Sequence, residues 1–105
     1  MNENSTYMTI THIHDFSGSG LFRPGIQLIL QKDHENPYDD EAILVRSLKG
    51  NKYGYVANSS STVCRGTHSA GYLEHLFEET AYCIVRFTGE DFAIAEFFRE
   101  PVNME

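Results

Sequence analysis

Residues 36 to 45, Asn36-Pro37-Tyr38-Asp39-Asp40-Glu41-Ala42-Ile43-Leu44-Val45, constrain the fold more than any other stretch, because a polar corner runs straight into aliphatic residues. Proline fixes its own φ and pushes the residue before it into extended geometry, while an Asn side chain bonds nearby backbone amides, so Asn36-Pro37 is a turn. The apolar residues of Ile26 to Leu30 before the corner and Ile43 to Val45 after it read as two strands that hold it from both sides. Tyr38 and Asp39 then stand on a rigid support, and a ring and a carboxylate at fixed positions make a small recognition site. A plainer alternative is equally open: Asp39 bonds the amides of its own loop and Tyr38 packs on Pro37.

The rest of the chain alternates in the same manner. Thr6 to Ile13 sets Met8, Ile10 and His12 against Tyr7, Thr9 and Thr11, the period of a strand with one buried face. Ser17-Gly18-Ser19-Gly20 is a flexible loop by composition, and it lacks the Gly-Lys-Ser/Thr and following helix of a phosphate-binding loop. Ala42 to Leu48 and Lys52 to Val56 form a hairpin about Lys49-Gly50-Asn51, where Gly50 or Asn51 takes positive φ. Asn58 is expected to cap a short helix through Cys64-Arg65 that ends at Gly66, and Ser69 a second helix that carries Tyr72, Leu73, Leu76 and Phe77 on one stripe. Tyr82 to Phe87 and Phe92 to Phe98 are the last two strands, joined at Gly89-Glu90-Asp91, with Cys83, Val85 and Phe87 on one apolar face. The class is β-rich α+β, six strands with two short helices between the fourth and fifth. Periodicity alone leaves two closures open, a small barrel or a strongly curved antiparallel sheet.

A chain of 105 residues has the size of one domain, 1–105, with 1–5 expected as a disordered tail. It has no signal-peptide pattern at its amino end and no long apolar run, and is expected to be cytoplasmic. Its cysteines, Cys64 and Cys83, are too few and too far apart for a disulfide framework or a four-thiolate zinc site, and they read as free thiols. The net charge of −7 is unevenly placed: residues 1–22 carry −2, residues 23–65 carry +1 and residues 66–105 carry −6. Because duplex DNA is held mainly by phosphate neutralisation, this balance argues against wrapping a DNA backbone but leaves room for contact with one or two nucleotides.

The order of motifs adds a further reading. A strand that ends in Asp33, then Asn36-Pro37-Tyr38-Asp39, Ala42-Ile43-Leu44-Val45, Gly50 and Gly54-Tyr55-Val56, resembles the HIRAN domain family, most strongly over residues 24 to 57 and more weakly from Ile10 to Phe97. The resemblance implies a small barrel similar to an OB-fold, and a non-enzymatic, cofactor-free module that binds the 3′ end of single-stranded DNA in a pocket. It also implies that Tyr38 and Asp39 belong to that pocket, with Tyr55 near it. An aromatic face stacks on a base at about 1–3 kcal/mol, and a carboxylate accepts from a sugar hydroxyl. The family's arginine and aromatic at the end of the first strand are matched here by His14-Asp15-Phe16, so the arginine is missing and a negative charge is added. His14 and Phe16 are then the replacement contacts, and Arg23 or Lys32 the replacement cation.

Two other function classes compete. His12 and His14 share a strand face and, with His34 or Asp39, would make an open metal site for a hydrolase, although a His-x-His pair alone is a weak signal. Alternatively the acidic carboxyl-terminal half, with Phe92, Phe97 and Phe98 and an exposed strand edge, binds a protein or a second copy of the chain.

Overall fold

The computed structural model describes residues 5–13 and 23–103. Its strands are β1 (Tyr7–Thr11), β2 (Gln27–Lys32), β3 (Ile43–Arg46), β4 (Lys52–Val56), β5 (Thr80–Thr88) and β6 (Ala93–Phe98), with one helix, α1 (Ala70–Leu73), running on into a 3₁₀ turn at Glu74–Leu76. They close into an antiparallel barrel in the order β1-β4-β3-β2-β5-β6, which resolves the alternative left open above in favour of the barrel. Closure removes every sheet edge, so the strand-edge pairing considered for a protein partner has no edge to use among the described residues. No described helix is long and apolar enough to cross a membrane.

The alternating residues fill the barrel as their spacing predicts. Met8, Ile10, Leu28, Leu30, Ile43, Val45, Cys83 and Val85 are fully buried, and Ala70 and Leu73 of α1 join the same core. At about 25 cal/mol per Å² of apolar area, burial of each large aliphatic side chain contributes roughly 1.5–3 kcal/mol. The wall made by β2, β5 and β6 is long and continuous: β5 pairs with β2 from Ile84 to Thr80 and with β6 from Tyr82 to Thr88. At the opposite side β1 and β4 share only Ile10↔Val56 and Thr11↔Tyr55.

Four expectations need correction. Phe87 does not continue the buried face of Cys83 and Val85, because the register shifts between Val85 and Phe87; the extra residue turns Phe87 outward, 57 % exposed, beside Phe92. No helix forms through Cys64-Arg65: residues 59–66 are turns, and the Asn58 side chain bonds elsewhere. Tyr72 leaves the apolar stripe and stacks on His68 with ring centroids 4.2 Å apart, whereas Leu73 is buried and Ser69 caps α1 as expected. Finally, β1 stops at Thr11. His12 takes a left-handed backbone, φ 63°, which breaks the alternation and drops Ile13 into the core.

One long-range contact was not legible at all. Gln27, buried on β2, donates from Nε2 to the Val102 carbonyl at 2.9 Å and accepts from the Val102 amide at 2.9 Å, so one side chain imitates a strand and fastens the carboxyl-terminal segment.

Candidate nucleic-acid interface

Where β1 and β4 part company, the barrel mouth opens into a hollow of about 660 Å³. Its walls come from three pieces of chain: Thr11 and His12 at the end of β1, the corner between β2 and β3, and the end of β4 with Asn58 beyond it. Gly54 shapes this seam. A Cβ there would lie 2.5 Å from the Thr11 carbonyl oxygen, so only glycine lets the two strands approach so closely before they diverge.

The corner is built as its residue types dictate. Asn36 Oδ1 accepts from the amides of Tyr38 at 2.9 Å and Asp39 at 3.1 Å, the Asx turn that its position before Pro37 predicts. Tyr38 is 94 % exposed at the hollow, and is not packed against Pro37. Asp39 is braced from two sides, its Oδ1 accepting from the Glu41 amide at 2.9 Å and its Oδ2 from Asn58 Nδ2 at 3.0 Å. Each oxygen retains a second lone pair for a ligand. Part of the plainer reading of Asp39 therefore holds, since one of its two donors is an amide of its own loop.

Asn58 is the hub that sequence reading missed. It donates to Asp39 and to Glu41 Oε1, at 3.1 Å, and its Oδ1 accepts the Gly71 amide at 2.8 Å. One amide group thus ties the corner to the first turn of α1. A Cβ at Gly71 would meet Glu41 Oε1 at 2.6 Å, so the small residue there makes room for the carboxylate. The available signal was an Asn placed two residues after the end of β4 and followed by a Ser-Ser-Ser run with no helical period.

On the far wall, Tyr55 donates its hydroxyl to Asp33 Oδ2 at 3.0 Å, and the His12 ring lies edge-on to it with centroids 6.4 Å apart. Burial raises the Tyr55 phenol above its ordinary range, the hydrogen bond to Asp33 and that carboxylate's charge add to the shift, and a hydrogen bond with Asn36 opposes it. The phenol is thereby kept neutral and fixed in direction.

Of the residues singled out from sequence, Tyr38, Asp39 and Tyr55 come together at the hollow. Arg23 and Lys32 do not line it: Arg23 lies exposed ahead of β2, and Lys32 Nζ sits 5.1 Å from the centre of the Phe77 ring. His14 and Phe16 lie outside the described residues. His34 pairs with Glu79 at 2.7 Å, and no three His, Cys, Asp or Glu side chains among the described residues gather as a metal site. Among the described residues that line the hollow there is no Lys or Arg.

No protein-family model and no curated protein matches this chain. Two solved structures share its fold. One is the HIRAN domain of human HLTF, with a TM-score of 0.59 and 21 % identity over 91 % of this chain and 76 % of that one. The other is a protein from Lactobacillus plantarum, with a TM-score of 0.63 and 21 % identity over 90 % of each chain. The chain therefore shares the fold of that HIRAN domain, a likeness that the order of sequence motifs predicts.

Proposed function

On the strength of that shared barrel, we propose that this chain is a non-enzymatic module that binds the 3′ end of single-stranded DNA in the hollow between β1, β4 and the Asn36–Ala42 corner. The observation that carries the reading is the Tyr38 ring, 94 % exposed beside a concave site with a braced carboxylate next to it. An exposed aromatic on a rigid turn costs nothing in rearrangement when a base stacks on it, and such stacking contributes about 1–3 kcal/mol without regard to sequence. Asp39 keeps acceptor capacity toward the hollow and suits a terminal hydroxyl, whereas it repels a terminal phosphate. Tyr55, locked by Asp33, forms the back wall against which the sugar rests.

The absence of Lys and Arg among the described residues that line the hollow limits what it takes. Polyanion binding depends on several phosphate contacts, so the ligand is a chain end engaged through one or two nucleotides rather than a length of backbone. Fluorescence anisotropy with short oligonucleotides that end in a 3′-hydroxyl or a 3′-phosphate tests this. Wild-type protein is expected to prefer the hydroxyl, Tyr38→Ala to weaken binding about tenfold, in line with the loss of one stacked base, and Asp39→Asn to erase the preference. Equal binding of both ends by all three proteins would remove the proposal.

A second reading, protein interaction or self-association, has one observation in its favour, the exposed Phe87 beside Phe92 on the β5 bulge. If it holds, Phe87→Ser abolishes a dimer seen by light scattering and leaves oligonucleotide binding intact.

A further inference from the structure

Tyr38 and Asp39 are consecutive residues, and the Asx turn that takes both their amides sets both side chains at the same hollow. Adjacent Cα atoms lie about 3.8 Å apart, so a base stacked on the Tyr38 ring brings its own sugar, rather than its neighbour's, to the Asp39 carboxylate. The pair reads one nucleoside, and the question is which sugar that carboxylate fits.

Asp39 offers the sugar more than one contact. Its Oδ1 accepts from the Glu41 amide at 2.9 Å and its Oδ2 from Asn58 Nδ2 at 3.0 Å, so the plane of the group is fixed from two directions. Both of those bonds leave an acceptor site on the same oxygen, two sites in all. A terminal deoxyribose brings a single hydroxyl, and an acceptor stripped of water without a new donor costs free energy. A terminal ribose brings hydroxyls on two adjacent ring carbons, one for each oxygen, and a carboxylate is the group that holds the ribose 2′-hydroxyl in dinucleotide-binding folds. The wall beside Asn58 completes the match: Ser59 follows it in sequence, and Ser59 and Thr62 bring to the hollow two hydroxyls 2.9 Å apart. A 2′-hydroxyl is both donor and acceptor, so it suits a carboxylate on one side and a hydroxyl on the other.

We infer that the hollow is built for a terminal sugar with vicinal 2′- and 3′-hydroxyls, so that a strand whose last nucleotide is a ribonucleotide binds more tightly than an all-deoxy strand. This goes beyond the proposed recognition of a 3′ end and rests on that reading. Asp39 is the specificity-determining residue, and Asn58 is the positioning residue that holds its carboxylate in plane.

The test is the anisotropy titration with five-nucleotide DNA strands that differ only in the last sugar, which is deoxyribose, ribose or 2′-fluoro-2′-deoxyribose, each with a 3′-hydroxyl. Fluorine keeps a ribose-like pucker but cannot donate, so the third strand separates the hydrogen bond from the shape of the ring. Wild type is expected to bind the ribose end about tenfold more tightly than either other end, the scale of one hydrogen bond to a charged group. Asp39→Asn should bind all the ends alike, and Asn58→Ala, which keeps the carboxylate but removes its brace, should show a reduced preference; melting temperatures show that each variant is folded. Equal wild-type affinity for the ribose and deoxyribose ends, a fluorinated end bound as tightly as the ribose end, or a ribose preference that survives in full in Asp39→Asn overturns the inference while leaving the site itself standing. Absence of wild-type binding to every strand removes both.

Discussion

The two sides of this barrel are held by different physics. The wall of β2, β5 and β6 is long, continuously paired and lined by side chains such as Leu28, Leu30, Cys83 and Val85 that carry no unmet polar group. The mouth where β1 meets β4 has two paired positions and is closed instead by amides and carboxylates, with Asn36, Asp39, Glu41 and Asn58 bonded in sequence to the first turn of α1. Apolar burial fixes a scaffold but offers a ligand no direction. A braced polar corner gives up pairing, and so leaves an acceptor and a ring facing a hollow. The difference teaches that the proposed recognition surface lies where the barrel is least completely closed, and that its stiffness comes from hydrogen bonds rather than from packing.

That contrast can be broken from either side. Leu30→Ala in the wall should cost the most stability, about 3 kcal/mol, because deletion of buried methyls adds a cavity term to the lost transfer energy. For a domain of this size it appears as a fall on the order of 15 °C in melting temperature, while folded protein still binds. Gly54→Ala should cost about 2 kcal/mol and also lose binding, since its methyl would meet the Thr11 carbonyl oxygen and part the seam that shapes the hollow. Asn58→Ala should cost about 1–2 kcal/mol, the penalty for leaving hydrogen-bonding groups unmatched, but should weaken oligonucleotide binding more than its stability change suggests. A melting series with parallel anisotropy checks all three. If Asn58→Ala bound like wild type, the brace on Asp39 would have no part in recognition.

Alkaline titration separates the two sides by a smaller effect. Burial pushes the Cys83 thiol up to about 12, and burial with the neighbouring Asp33 raises the Tyr55 phenol. Both groups are acids that hold their proton more tightly folded than unfolded. Their contribution is therefore complete below the unfolded values, near 9 for the thiol and 10 for the phenol, and is lost as pH rises through the folded ones. Denaturant melts between pH 8 and 11 should show stability declining with pH, with the decline reduced in Cys83→Val in the wall and reduced less in Tyr55→Phe at the mouth.

Sequence reading found most of the wall and only part of the mouth, for a physical reason. Period-two alternation marks β1 and β2, because burial of one face writes itself into local spacing, and the unbroken aliphatic run Ile43 to Val45 marks β3 as a buried strand. Asn36-Pro37 and Gly50 were also legible, since turn geometry restricts residue type locally. What could not be read were effects whose partner lies far along the chain. The outward turn of Phe87 follows from a register shift against β6, the fastening of Gln27 involves Val102, and the role of Asn58 needs Asp39, Glu41 and Gly71 to arrive from elsewhere. The end of β1 was misplaced because a left-handed histidine breaks alternation without the glycine that usually signals such a turn.

The central claim is that the mouth recognises a chain end and the wall does not. It is tested most directly by following backbone and side-chain amide resonances while a five-nucleotide strand ending in a 3′-hydroxyl is added. The expected result is a saturable shift of Asn36, Tyr38, Asp39, Tyr55 and Asn58, with Leu28, Cys83 and Val85 unmoved. Saturable shifts confined to the β2–β5–β6 wall, or none anywhere at millimolar strand, would contradict it.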